Sequence, residues 1–146
     1  MRRWVRMPSD PLRAGATVAG LLGLAIAGYL TVVHYAGGTP ACGIAHGCAT
    51  VQASDWATLA GVPVAVLGVL GYLAIVALLW IPSESARMAG CVLAIGGFGF
   101  SAYLTYRELF DIHAICQWCV ASAVLMTALA ALCVTRTLRA PAVFTD

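Results

Sequence analysis

The chain has 146 residues, of which 62% are hydrophobic and only 10% charged. Soluble domains carry about 25% charged residues, so this composition excludes an ordinary water-soluble fold and points to one embedded in lipid. The net charge of +2, with no basic stripe interleaved with aromatics, excludes a nucleic-acid partner.

Residues 1–14 read as a polar tail carrying Arg2, Arg3, Arg6 and Arg13. A first apolar span follows at about 15–35, "GATVAGLLGLAIAGYLTVVHY". It is too long for the apolar part of a signal peptide and further spans follow, so it is retained. The loop 36–60 has no Lys or Arg and holds Cys42 and Cys48 in "CGIAHGC". A second span runs over about 61–81, opened by Gly61-Val62-Pro63, where proline costs no helical hydrogen bond. A short link with Arg87 leads to a third span at about 88–110. The loop 111–115 precedes a fourth span at about 116–138, and residues 139–146 form a second tail.

Each span is near the ~20 residues that cross a bilayer as a helix, and none shows a polar face. The expectation is an all-α integral membrane protein, a four-transmembrane-helix bundle forming one domain over residues 15–138. Gly20, Gly23, Gly68, Gly71, Gly96, Gly97 and Gly99 place small residues on helix faces, where backbones can approach closely. The arginines gather at the tails and at the link between spans two and three. Arg107 is the lone basic residue near the other side, beside Glu108 and Asp111. The positive-inside rule then puts both termini in the cytoplasm and both remaining loops outside it.

That topology brings four of the six cysteines to one extracytoplasmic side, where disulfides persist. Cys116 and Cys119 are three apart at a helix start and share a face. Amides and dipole at a helix N-terminus stabilise a thiolate, the species that attacks and leaves in disulfide exchange. Cys42 and Cys48 sit in a glycine-containing loop that closes and reopens at small cost. One pair reads as mobile and exposed, the other as anchored at the membrane beside lipid-soluble carriers. Together they make a relay from partner thiols to the loop pair, the membrane pair and a carrier.

Other readings of the same cysteines are structural disulfides, or a zinc site perhaps including His46, in a membrane structural or zinc-binding protein. Haem attachment is excluded, because Val120 stands where histidine must follow the second cysteine. Cys91 and Cys133 fall in the opposite half of their spans. Cys133 is about 21 Å further along the helix than Cys119, so both read as packing residues.

The ordered set of "CGIAHGC", Ser54, "GVPVAVLGVLGY" and "CQWCVASA" resembles the bacterial homologues of vitamin K epoxide reductase, over roughly Val18 to Leu138. The resemblance implies a four-helix bundle around a quinone in the bacterial cytoplasmic (inner) membrane. It implies a quinone-dependent, disulfide-forming oxidoreductase that oxidises a thioredoxin-fold partner. The acceptor would be ubiquinone or menaquinone. Cys42 and Cys48 would be the shuttle pair, Cys48 would exchange with Cys116, and Cys119 would face the quinone. Ser54 would support the cysteines. "ATVQASDWATLA" would form a short extracytoplasmic interfacial helix. The chain ends eight residues past Leu138, so the partner is expected to be separate. Vertebrate members carry a tyrosine where Ala123 stands, which favours plain quinone reduction over reduction of vitamin K epoxide.

Weaker candidates surround the pairs. His46 and His113 read as solvated loop histidines or as groups that tune a thiolate. Trp118 reads as an interfacial anchor, and His34 as an interfacial residue. Tyr29, Tyr72, Phe98, Phe100 and Tyr103 are aromatics able to line a quinone pocket. Arg107 and Glu108 read as a pair or as headgroup contacts, with no functional role required.

Overall fold

The computed structural model describes residues 10–44 and 46–139, so Arg2, Arg3, Arg6 and most of both tails lie outside the described residues. Helix α1 spans Pro11–Tyr35. Asp10 caps it by accepting the Leu12 amide at 3.1 Å, and Pro11 takes the first helical position, where no amide donor is needed. Helix α1 therefore begins four residues before the expected span. The loop then enters a five-residue helix α2, Cys48–Gln52, and a 3-10 turn, Asp55–Ala57.

The expected interfacial helix is thus broken. Ser54 is extended, with φ −77° and ψ 159°, and its hydroxyl donates to the Val51 carbonyl at 2.6 Å. Strands β1 (Thr58–Leu59) and β2 (Val62–Pro63) follow as an antiparallel hairpin, Thr58 opposite Pro63. Ala60 and Gly61 both have positive φ, 52° and 83°, as a two-residue turn of this hand demands. Residues 61–63, expected to open span two, belong to this hairpin instead. Pro63 ends it, and α3 runs only over Val64–Trp80.

Helix α4 spans Glu84–Arg107, capped by Ser83, whose hydroxyl accepts the Ala86 amide at 3.1 Å. It widens into a π turn over Glu108–Ile112. Helix α5 spans Gln117–Arg139, with Cys116 just outside it as the cap. Helices α1, α4 with its π turn, and α5 are long and apolar enough to cross a membrane; α3, at 17 residues, is shorter.

Among the described residues, α1 packs on α3 and α5, and α4 packs on the same two, closing a ring. Tyr72, Ile75 and Leu129 are fully buried at its centre. The ring of Tyr72 lies where a Cβ on Gly23 would be, and Gly97 leaves room for the Met126 sulfur. Gly71, Gly96 and Gly99 have no such neighbour within 4 Å, so only part of the glycine pattern is close packing. Leucine, isoleucine, valine and phenylalanine on the outer faces stay exposed, among them Leu21, Leu70, Val92, Phe98 and Val124. Surface this apolar belongs in lipid rather than water. At the end away from Cys116, Arg136 pairs with Asp10 at 2.9 Å and ties α5 to the start of α1.

Candidate active site

Cys42 and Cys48 are joined by a disulfide with their Cα atoms 6.1 Å apart. The loop pair is not simply exposed. Cys42 is half-buried, and Cys48, the first residue of α2, is fully buried. The cause is the residue before it. A Cβ on Gly47 would stand 2.6 Å from both the backbone nitrogen and oxygen of Ile115. Only glycine lets the loop lie this close to the link ahead of α5. Cys48 and Cys116 consequently share one buried cluster with Val51, and Cys42 and Cys119 pack against it.

The two residues inside the Cys-x-x-Cys hold the same loop. Gln117 Oε1 accepts the amides of Gly43 and Ile44 at 3.2 and 2.9 Å. The Trp118 indole N–H donates to the Ala41 carbonyl at 2.6 Å, and the Ala41 amide donates to the Tyr29 hydroxyl at 2.9 Å. Trp118 is therefore a loop clamp, its ring tilted at 55° to that of Tyr29 with centroids 5.1 Å apart, and more than an interfacial anchor. Gln117 carried no signal in the sequence, since its partners are some seventy residues away.

Cys116 is fully buried beneath the loop. It caps α5. Its carbonyl accepts the Val120 amide at 3.0 Å, and its sulfur accepts the Cys119 amide at 3.4 Å. A hydrogen bond from the Cys119 thiol, helped by backbone amides, holds the Cys116 thiol below its ordinary range at about 7, against burial and the neighbouring Glu108. Glu108 is the one buried charged side chain among the described residues. Its Oε2 accepts the Cys116 amide at 3.2 Å. Its own carbonyl accepts the amides of His113 and Ala114, so it also organises the turn into Cys116.

Cys119 opens onto a cavity of about 190 Å³ enclosed by all four long helices and the loop segment above them. Its walls are mostly aliphatic. The polar groups lining it include Glu108, Gln52, Ser122 and Tyr72. Gln52 Nε2 donates to the Cys119 sulfur at 3.6 Å, and Tyr72 bonds the carbonyl and hydroxyl of Ser122 at 2.7 and 2.9 Å. Tyr72 and Phe100 are among the lining residues; Tyr29, Phe98 and Tyr103 are not.

This arrangement joins a loop disulfide, a buried Cys116, a half-buried Cys119 and an apolar cavity. A family model described as the vitamin K epoxide reductase family matches residues 15–134. The chain belongs to this family. No curated protein matches it significantly. As a vitamin K epoxide reductase family protein it is a membrane-bound oxidoreductase, of a family whose electron carriers are quinones. The cavity fits such a carrier. It offers apolar walls to a ring, with the Cys119 sulfur and the hydrogen-bonding side chains of Gln52, Tyr72, Glu108 and Ser122 among its lining groups.

Other expected residues sit apart from the chemistry of this vitamin K epoxide reductase family site. Ser54 closes α2 through Val51 and touches the cluster only by that route. His46 is exposed, and His113 bonds the Asp111 carbonyl from a left-handed conformation, φ 55°. His34 lies edge-on to Tyr35 in the last turn of α1. Arg107 pairs with Asp111 rather than Glu108, and its guanidinium lies 4.3 Å over Trp56. Cys91 packs against the core cluster that contains Cys133, with neither near the cysteine end. Among the described residues no three His, Cys, Asp or Glu side chains converge as metal ligands, which weighs against the zinc reading.

Proposed function

We propose that this protein is a thiol–quinone oxidoreductase that supports disulfide formation outside the cytoplasm. The observation that carries the reading is the placement of Cys48 and Cys116 in one buried cluster, with Cys119 turned to the cavity. Electrons enter when a reduced thioredoxin-fold partner, a separate protein, opens the Cys42–Cys48 disulfide. The Cys48 thiolate then attacks Cys116 in its disulfide with Cys119, and Cys119 leaves. Cys42 attacks Cys48 and expels Cys116, whose low pKa makes it a good leaving thiolate. Two electrons now reside on Cys116 and Cys119. The quinone, ubiquinone or menaquinone, supplies the redox chemistry that removes them. Gln52 steadies the Cys119 sulfur, the aliphatic walls exclude water, and Ser54 supports the segment that carries Cys48.

In this reading the catalytic domain covers residues 15–138 as a four-span bundle in a bacterial cytoplasmic membrane, with both tails inside the cell. The 17 residues of α3 rise about 25 Å, and Pro63 and Ile81 extend the apolar run towards the ~30 Å of a hydrocarbon core. Arg13, Arg87, Arg136 and Arg139 gather at the end away from the cysteines, in keeping with the positive-inside rule.

The test is anaerobic mixing of the purified protein with a reduced thioredoxin-fold protein and a soluble quinone, followed at the quinone absorbance. Quinol should form with the wild type and fail to form with Cys116→Ala or Cys119→Ala. Quinol formation that survives both substitutions would sink the relay.

A further inference from the structure

An ionisable side chain buried at membrane depth is costly and is kept where it has a task. Glu108 is such a group, at 4% exposure. Glu108 opens the π turn, and its side chain lines the cavity together with Cys119; π turns recur where a helix must re-aim a functional side chain. One carboxyl oxygen accepts the Cys116 amide, and the same side chain lines the cavity beside the Cys119 thiol. Its chain neighbour Arg107 is committed elsewhere, to Asp111 and the faces of Trp56 and Tyr103. The titratable groups that face Glu108 are thus Cys116 and Cys119, both from the start of α5.

We propose that Glu108 is the catalytic proton carrier of the quinone-side step: its carboxylate takes the Cys119 thiol proton and delivers it to an oxygen of the carrier in the cavity. The proposal rests on the thiol–quinone reading above. Over this step the two thiols surrender two electrons and two protons and are left joined as the Cys116–Cys119 disulfide. One proton travels from Cys119 through Glu108. The other leaves Cys116 to the medium as that thiol ionises, and the second carrier oxygen takes up one proton from the medium in exchange. A carboxyl that shares the cavity wall with the thiol and bonds the amide of its partner cysteine is placed to act as general acid and base.

Glu108 also holds the turn ahead of α5, so the test must separate a proton role from a cap. Glu108→Gln keeps an oxygen for the Cys116 amide and removes the proton site; Glu108→Asp keeps the proton site. On reduced, quinone-free protein in nanodiscs, infrared difference spectra across a pH titration should show a carboxyl band that changes together with the Cys119 S–H band. That coupling should vanish in Glu108→Gln and in Cys119→Ser. With quinone present, Glu108→Gln should slow quinol formation about 10²–10⁴-fold and alter its pH profile. Exchange with the partner should slow far less, and Glu108→Asp should recover part of the loss. An uncoupled carboxyl band, or quinol formation within a few-fold of wild type in Glu108→Gln, overturns the proposal. So does an equal loss of partner exchange and quinol formation in both variants, which is the signature of the cap alone. A wild-type protein that forms no quinol overturns the thiol–quinone reading and this role with it. Normal quinol formation with an indifferent Glu108 overturns this role alone.

Discussion

The amide of Cys119 donates to the sulfur of Cys116 at 3.4 Å, so the first cysteine of the pair is also the cap of α5. The bond that starts the helix is made by the atom that reacts. A capping oxygen in this position satisfies an orphan amide; a capping sulfur does the same and gains charge stabilisation from the helix terminus. Reduction and oxidation of Cys116 are therefore coupled to how the first turn of α5 is held.

The coupling has a pH signature. The Cys119 thiol is the largest influence holding Cys116 at about 7. In a Cys91→Ala, Cys133→Ala background, thiolate absorbance of the reduced protein should rise through about 7. Replacing Cys119 with alanine removes that thiol, and the Cys116 midpoint should move up towards the ordinary ~8.5. A midpoint that stays in place would assign the depression to the helix terminus alone.

Relay order follows from which cysteines share the buried cluster. Cys119→Ala leaves nothing to resolve an inter-pair bond from the membrane side, and Cys42→Ala leaves nothing from the loop side. Both variants should accumulate Cys48–Cys116, read by mass spectrometry of the linked peptides. Accumulation of Cys48 bonded to Cys119 in the Cys42→Ala variant would reverse the order.

Gly47 sets how closely the pairs approach. A methyl group there meets the Ile115 backbone, which has no side-chain freedom to yield. Gly47→Ala, added to Cys119→Ala, should cut the trapped Cys48–Cys116 yield severely while the helical circular dichroism is retained. An unchanged yield would show that the loop reaches Cys116 by another path.

Gln52 acts on the carrier side of the relay. Its N–H donates to the Cys119 sulfur, 3.6 Å away. Gln52→Leu keeps the bulk and removes the donor. Loss of one hydrogen bond to a charged acceptor, about 1.5–3 kcal/mol, should slow quinol formation about ten- to a hundred-fold. Partner exchange should change little, and equal loss in both steps would point to a packing fault in α2.

Cys91 and Cys133 should be dispensable. Replacing both with alanine should leave quinol formation within a few-fold of wild type. In intact cells holding reduced protein, an impermeant thiol reagent should label the loop cysteines and spare these two. Labelling of Cys91 and Cys133 alone would invert the proposed membrane orientation.

What the sequence by itself determined was the lipid-embedded class and the family, and it singled out the two cysteine pairs on which the proposed relay rests. Hydropathy is a sum over many residues and survives errors in any one of them, so the long apolar runs were legible even where their ends were not. The ends followed local signals that a hydropathy window smooths away: the Asp10-Pro11 cap, the Ser83 cap, and the Ala60-Gly61 turn that removes residues 61–63 from α3. The Cys-x-x-Cys was legible because three-residue spacing at a helix start has chemical meaning without any partner.

Tertiary structure alone decided the rest, because those contacts join residues far apart in the chain. Gln117 gains its role from Gly43 and Ile44, Gln52 from Cys119, and Gly47 from Ile115. Glu108 read as a headgroup contact beside Arg107 and Asp111. Only the π turn, which sends Arg107 to the outer surface over Trp56 and Glu108 to the thiols, separates two adjacent charges into a surface clamp and a buried carboxyl. That difference is one of direction around a helix axis, and direction is set by the packing of α4 against α5.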